Sequence, residues 1–170
     1  TSGTVSQRAK ANFMLCESTP SPKQAACYGD LSKTLIGATH HAEVADIYSL
    51  SQYRFFILQP LEKRLTGLMK LSLQCAGTPA GLKAVNYLKG HWGTLSPIQR
   101  LEAWSAWGVQ VHDAQVAKCR AESDPSQVVA IVGLEQAAAY LALEQFKEAS
   151  LVLEKIWLQV EQSVWWDDVA

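Results

Sequence analysis

Glycine and proline divide this chain into segments of helical length, and no other feature of the sequence constrains the fold as strongly. Within the segments apolar residues recur at spacings of three and four, as in residues 61–75. No stretch shows the sustained alternation that is typical of a β-strand. Because the connections are short, neighbouring segments should run antiparallel. We therefore predict an all-α fold, a helical bundle of about six to eight helices with antiparallel neighbours.

The positions of proline, glycine and capping residues also predict where the helices lie. Ser96-Pro97 and Asp124-Pro125 each place a capping side chain before a proline, which is a favoured way to begin a helix. We expect a single domain, 1–170, in which a four-cysteine bundle (1–123) carries a C-terminal helical hairpin (124–170) packed on it. Loops are predicted at 76–81 and 90–94, and helices at 5–17, 22–36, 42–58, 61–75, 82–89, 97–123 and within 128–164.

Composition argues against nucleic-acid binding and against a membrane span. The 15 Lys and Arg residues are scattered and balanced by 16 Asp and Glu, which gives a formal net charge of -1. Non-specific nucleic-acid binding needs a concentrated positive surface, so no nucleic-acid partner is expected. No run of about 18 apolar residues occurs, so no membrane span is expected either.

The four cysteines stand at positions that close helical hairpins. Cys16 and Cys27 flank the break at 18–22, and Cys75 and Cys119 end two later helices that can meet in an antiparallel arrangement. This predicts disulfides 16–27 and 75–119, each stabilising by about 3–4 kcal/mol in the chain-entropy model. The alternative is four buried thiols in a cytoplasmic protein. The oxidised interpretation places the protein in the periplasm or outside the cell, with a signal peptide removed before Thr1.

The cysteine order resembles two families of small secreted helical proteins. The first comprises immunity proteins against type VI secreted cell-wall amidases, with the matching segments lying between Asn12 and Cys119. The second comprises the plant invertase and pectin methylesterase inhibitors. Both resemblances imply a binding protein that blocks an enzyme sterically and has no active site of its own. The segments that carry the first resemblance are Cys75-Ala-Gly-Thr-Pro, Tyr87-Leu-Lys-Gly-His91 and the Ala-containing helix from Ala103 to Cys119.

Our main functional hypothesis is therefore a periplasmic or secreted inhibitor or immunity protein. A rigid loop at 90–94 would enter the partner's cleft, with His91 and Trp92 as the contact residues. On this hypothesis Trp92→Ala weakens partner binding without unfolding the chain.

The alternative hypothesis is a structural or adaptor subunit that docks through its C-terminal helices. Trp165 and Trp166 are adjacent on the last segment, and at least one is expected at the periphery, where exposed Trp is enriched at binding hot spots. Burial of the pair by a folded-back terminus is an equal alternative. A homodimer is compatible with either hypothesis. A narrow helical seam precedes the pair, formed by Phe146, Ala149, Leu153, Ile156, Val160 and Val164.

No motif predicts catalysis, and we expect neither an enzyme nor a cofactor. No nucleophile elbow and no phosphate-binding glycine loop occurs. His40 and Glu43, three residues apart, are the best candidates for metal ligands, but a bundle di-metal site needs a second such pair. We therefore predict no metal and interpret 40–46 as a polar helix start, with Glu43 near the positive end of the helix dipole.

Overall fold

The computed structural model describes residues 4–113, 119 and 126–161. These residues form eight α-helices, one short 3₁₀ turn and no strand, so the all-α prediction is confirmed. The helices are α1 (Val5–Ser18), α2 (Gln24–Leu35), α3 (Ala42–Ile57), α4 (Leu61–Gln74), α5 (Pro79–Trp92), α6 (Pro97–Asp113), α7 (Ser126–Ala142) and α8 (Phe146–Glu161), with the 3₁₀ turn at Ile36–Ala38.

Helix α5 is longer at both ends than the sequence pattern predicts. The Thr78 hydroxyl accepts a hydrogen bond from the Gly81 amide at 3.2 Å, and Pro79 occupies the first turn. This is the same cap-and-proline start that was recognised at Ser96-Pro97 but missed here. At the other end the helix passes through Gly90 and ends at Trp92. The predicted loops at 76–81 and 90–94 are therefore too long.

Both predicted disulfides are present. Cys16 and Cys27 join α1 to α2 with a Cα–Cα distance of 5.5 Å. Cys75 and Cys119 join the end of α4 to the segment after α6, with a Cα–Cα distance of 4.9 Å. The Cys119 amide also donates to the carbonyl oxygen of Gln74 at 2.9 Å.

The interior consists of two apolar clusters that meet along α3. The first lies between α1, α2 and α3, with Tyr28 and Val44 fully buried at its centre. The second and larger cluster joins α4, α5, α6 and α7 around Trp104. Tyr48 of α3 packs against both clusters. A part-buried hydrogen bond from Arg64 to the Tyr87 hydroxyl at 2.9 Å ties α4 to α5.

Helix α7 attaches the C-terminal hairpin to the bundle. Val128 and Val132 enter the larger cluster. The Gln136 side-chain amide donates to the carbonyl oxygen of Trp104 at 3.2 Å. Lys89 of α5 pairs with Glu135 at 3.0 Å. Of the helices described, none is both long and apolar enough to cross a bilayer.

The start of α5 offers a test with an internal control. A Cβ atom on Gly81 would overlap the backbone carbonyl of Cys75, which cannot rotate away as a side chain could. We expect Gly81→Ala to lower the free energy of unfolding by about 1–3 kcal/mol. Gly90 lies in the same helix with open space around it, so Gly90→Ala should raise stability by about 0.5–1 kcal/mol. Chemical denaturation measures the stability change of both variants. Changes of the same sign would contradict this packing.

Candidate functional site

Trp92 lies inside the protein rather than on a binding loop. Only 5% of its surface is exposed, and its ring meets that of Trp104 edge-to-face with centroids 4.6 Å apart. Such pairs contribute about 0.5–1.5 kcal/mol beyond the burial of their area. The prediction that Trp92 belongs to an exposed loop is wrong, because burying an indole outweighs the cost of helical Gly90.

His91 remains half-buried beside the turn that follows α5. The Thr94 hydroxyl donates to the His91 carbonyl oxygen at 2.8 Å, and the Leu95 amide donates to Trp92 at 3.0 Å. Ser96 and Gln99 then cap α6 reciprocally, with the Ser96 amide 3.2 Å from the Gln99 side-chain oxygen. The connection is therefore a tight turn with little length available to enter a cleft.

The candidate metal ligands His40 and Glu43 do not converge. Glu43 accepts a hydrogen bond from the Ser6 hydroxyl and lies 3.5 Å from the Lys10 ammonium, so its carboxylate faces α1. The hydrogen bond from Ser6 is the larger cause and the charge of Lys10 the next, and together they lower the pKa of Glu43 below its usual range. His40 instead stacks on His41 with ring centroids 4.1 Å apart. In the described part of the chain no cluster of three ligand-type side chains is suited to a metal.

An open groove of about 520 Å³ lies between α3 and α4. Its floor forms where the Phe56 ring packs on Gly67, a position at which any Cβ atom would overlap that ring. The rim carries both acidic and basic side chains, and the lining contains neither His nor Cys. An apolar floor with a mixed rim is typical of a binding groove. The lining residues are Phe55, Phe56, Gln59, Glu62, Lys63, Thr66, Gly67 and Lys70.

The turn between α7 and α8 is fixed by backbone hydrogen bonds. Glu144 has a φ of 57°, in the left-handed region. The Gln145 amide donates to Tyr140 at 2.9 Å, and the Glu144 amide donates to Leu141 at 3.0 Å. These are the paired bonds of a Schellman motif, which ends one helix and reverses the chain. Because α8 begins directly afterwards, α7 and α8 are held as an antiparallel hairpin.

The two helices of the hairpin meet along one line of small and branched residues. Gly133 of α7 lies against Ile156 and Val152 of α8, and a side chain at 133 would overlap Ile156. Ala149, which is buried, continues this inner stripe toward the turn. The predicted seam is therefore divided, since Ala149 and Ile156 face α7 while Phe146 and Leu153 remain exposed.

Four of the seven large exposed apolar residues of the described hairpin lie together on one side of it; the other three, on α8, are Leu151, Trp157 and Leu158. When each helix is viewed from its own N-terminus, Leu134 is rotated by about 100° from Gly133 on α7. Leu153 is rotated by about 60° from Ile156 on α8, in the same sense. In antiparallel helices, equal senses of rotation point to the same side. We call this surface the hairpin face and define it by four residues and their exposed fractions: Leu134 (55%), Leu141 (48%), Phe146 (65%) and Leu153 (40%).

The hairpin face lies away from the bundle. Val128 and Val132, which enter the core, point to the opposite side of α7. Ala138 lies between Leu134 and Leu141 and is also exposed, so no polar side chain separates them on that stripe. Sequence reasoning found the seam of α8 but missed the contribution of α7. The spacing of Leu134, Ala138 and Leu141 at i, i+4 and i+7 was the available signal.

Trp165, Trp166 and Val164 lie outside the described residues, and Val160 is described only as part of the α8 backbone. Their proposed docking role stays a prediction.

Because Trp92 is buried, truncating its side chain should destabilise the fold, whereas the loop interpretation expects weaker partner binding without unfolding. We expect Trp92→Ala to lower the free energy of unfolding by about 3–5 kcal/mol, because it empties the space beside Trp104. His91→Ala, at the adjacent half-buried position, should cost far less. Urea denaturation of both variants checks this. A Trp92→Ala variant as stable as the wild type would restore the loop interpretation.

Glu43 offers a test of the contact between α1 and α3. NMR titration should give its carboxyl a pKa below the usual Glu range, and Ser6→Ala should raise that pKa by removing the largest cause of the shift. Ser18→Ala, on the same helix but remote, should leave it unchanged. Since the folded-state pKa is lowered, the stabilisation from this contact is present above the unfolded pKa. It is lost as pH falls through the folded pKa.

Comparison with protein-family models finds no match, and comparisons with curated protein sequences and with solved structures find none either.

Proposed function

We propose that this protein is a protein-binding module that acts by docking rather than by catalysis, and that the hairpin face is its docking surface. The observation that carries the proposal is the contiguous apolar surface across α7 and α8, with four large side chains between 40% and 65% exposed. Scattered exposed apolar residues are normal, but a contiguous patch on a soluble domain is typical of an interaction site.

The rigidity of the hairpin supports this proposal. The Schellman turn fixes its reversal, and the close contact of Gly133 with Ile156 fixes the spacing of its helices. Gln136 and Glu135 attach α7 to α6 and α5. A preorganised surface loses little conformational entropy on binding, which favours affinity.

The disulfides support an oxidising compartment, because such bonds persist mainly in exported proteins. We therefore propose a periplasmic or secreted location. An inhibitor or immunity protein for a partner enzyme is the second candidate function, and the observation in its favour is that the four cysteines, whose order carries the resemblance, form the disulfides 16–27 and 75–119. Since Trp92 is buried, such an inhibitor would cover its target with the hairpin face instead of the 90–94 turn.

Photo-crosslinking tests the docking surface directly. A photoreactive amino acid at Leu141 should give a defined adduct in the cells that produce the protein. The same group at Met14, an apolar position on α1 that is more exposed than Leu141 (67% against 48%), should not. Replacing Leu134 with Ser on the Leu141-labelled protein should abolish the adduct, because it removes a neighbouring contact on the same face.

Adduct formation from Met14 alone, or an adduct unaffected by Leu134→Ser, would contradict the assignment. Mass spectrometry of the adduct distinguishes an enzyme, which supports the inhibitor role, from a structural subunit, which supports the adaptor role.

A further inference from the structure

Two charged residues flank the hairpin face with opposite sign. Lys147 follows Phe146, and Glu154 follows Leu153, so each charge stands in the same relation to an exposed apolar residue. Seven residues is close to two helical turns, and both side chains therefore lie along the same edge of α8. Both are exposed, and within the described residues neither forms an ion pair.

This charge order is complementary to itself in one orientation only. If two α8 helices pair antiparallel about an axis near residues 150–151, Lys147 of each copy lies opposite Glu154 of the other. The pairing then occurs twice by symmetry. If they pair in parallel, equal senses of rotation point to opposite sides, so the charged edges of the two copies lie apart and Lys147 forms no pair with Glu154. Charges beside an apolar seam select partner and orientation in this way in helical pairs.

The residue at the centre of such a pairing is small. Ser150 is exposed and lies between Phe146 and Leu153 on the same stripe, at spacings of four and three. A small side chain at the crossing point lets two helix backbones approach closely, while Phe146 and Leu153 on either side supply the apolar contact. The apolar stripe thus has the shape, as well as the charge order, that a symmetric contact requires.

We propose that the occupant of the hairpin face is a second copy of this chain, bound through α8 in an antiparallel, two-fold symmetric contact. This inference rests on the proposed function, because it takes the hairpin face to be a docking surface. It adds the identity of the partner. The symmetric contact covers Phe146 and Leu153 of both copies and forms two intermolecular ion pairs.

Sedimentation velocity across a range of protein concentrations tests the proposal. The wild type should show a monomer–dimer equilibrium. Phe146→Glu should weaken the dimer by about 100-fold or more, since it replaces an apolar contact residue with a charge in both copies. Glu in the first turn of a helix is favourable, so α8 should still form, as circular dichroism would verify. Met14→Glu is the matched control and should leave the equilibrium unchanged.

The charges allow a sharper test by reversal. Lys147→Glu alone, or Glu154→Lys alone, should weaken the dimer by about tenfold, because each replaces two attractive contacts with two repulsive ones. The double variant Lys147→Glu/Glu154→Lys should recover wild-type affinity, since the antiparallel order is again complementary. The loss of affinity in the single variants and its recovery in the double variant should both be smaller at high salt, because salt screens the charges.

The outcomes separate this inference from the proposed function. A wild type that stays monomeric at its highest soluble concentration overturns the second copy as occupant, while a Leu141 adduct with another protein would still support docking. A dimer that Phe146→Glu leaves intact uses a different surface, which overturns the second copy as occupant of the hairpin face, while the Leu141 adduct still tests docking there. A double variant that stays as weak as the single variants overturns the antiparallel arrangement.

Discussion

The edge-to-face contact of Trp92 with Trp104 is the interaction on which the rest of the bundle depends. It joins the last turn of α5 to the middle of α6, where Trp104 is fully buried. One turn further along α6, the Trp107 indole donates to the Ser72 hydroxyl at 2.8 Å and brings in α4. Each indole nitrogen buried in a core needs a partner, and Ser72 satisfies this one.

The position of the α7–α8 hairpin depends on this tryptophan cluster. Gln136 bonds to the backbone of Trp104 itself, so the placement of α7 follows from where α6 lies. Helix α8 then packs on α7, and Gly133 permits the close approach that Ile156 requires. The hairpin face is therefore displayed at a fixed angle to the bundle. A surface of this kind exposes apolar area at a cost in solubility, which an interaction partner would remove.

Much of the fold could be predicted because helices depend on local signals. The caps at Ser96-Pro97 and the apolar periodicity of 61–75 require no knowledge of neighbours, and the resulting helices α6 and α4 begin at Pro97 and Leu61. The pairing of Cys16 with Cys27 also follows from sequence, because a short break between two helices brings those positions together. The candidate site could not be predicted equally well. Trp92 sits between two glycines, a pattern that indicates a loop, yet its burial against Trp104 depends on residues twelve positions away.

By itself, the sequence determined the helical class, most helix starts and both disulfide pairings, since all of these follow from spacing and capping along the chain. Only the tertiary structure decided which apolar residues are inside. Phe146 and Ile156 belong to the same predicted seam, but Ile156 packs into the notch at Gly133 while Phe146 is left in solvent. The reason is geometric: a helical period defines a stripe, and the neighbour's shape determines how much of that stripe it covers.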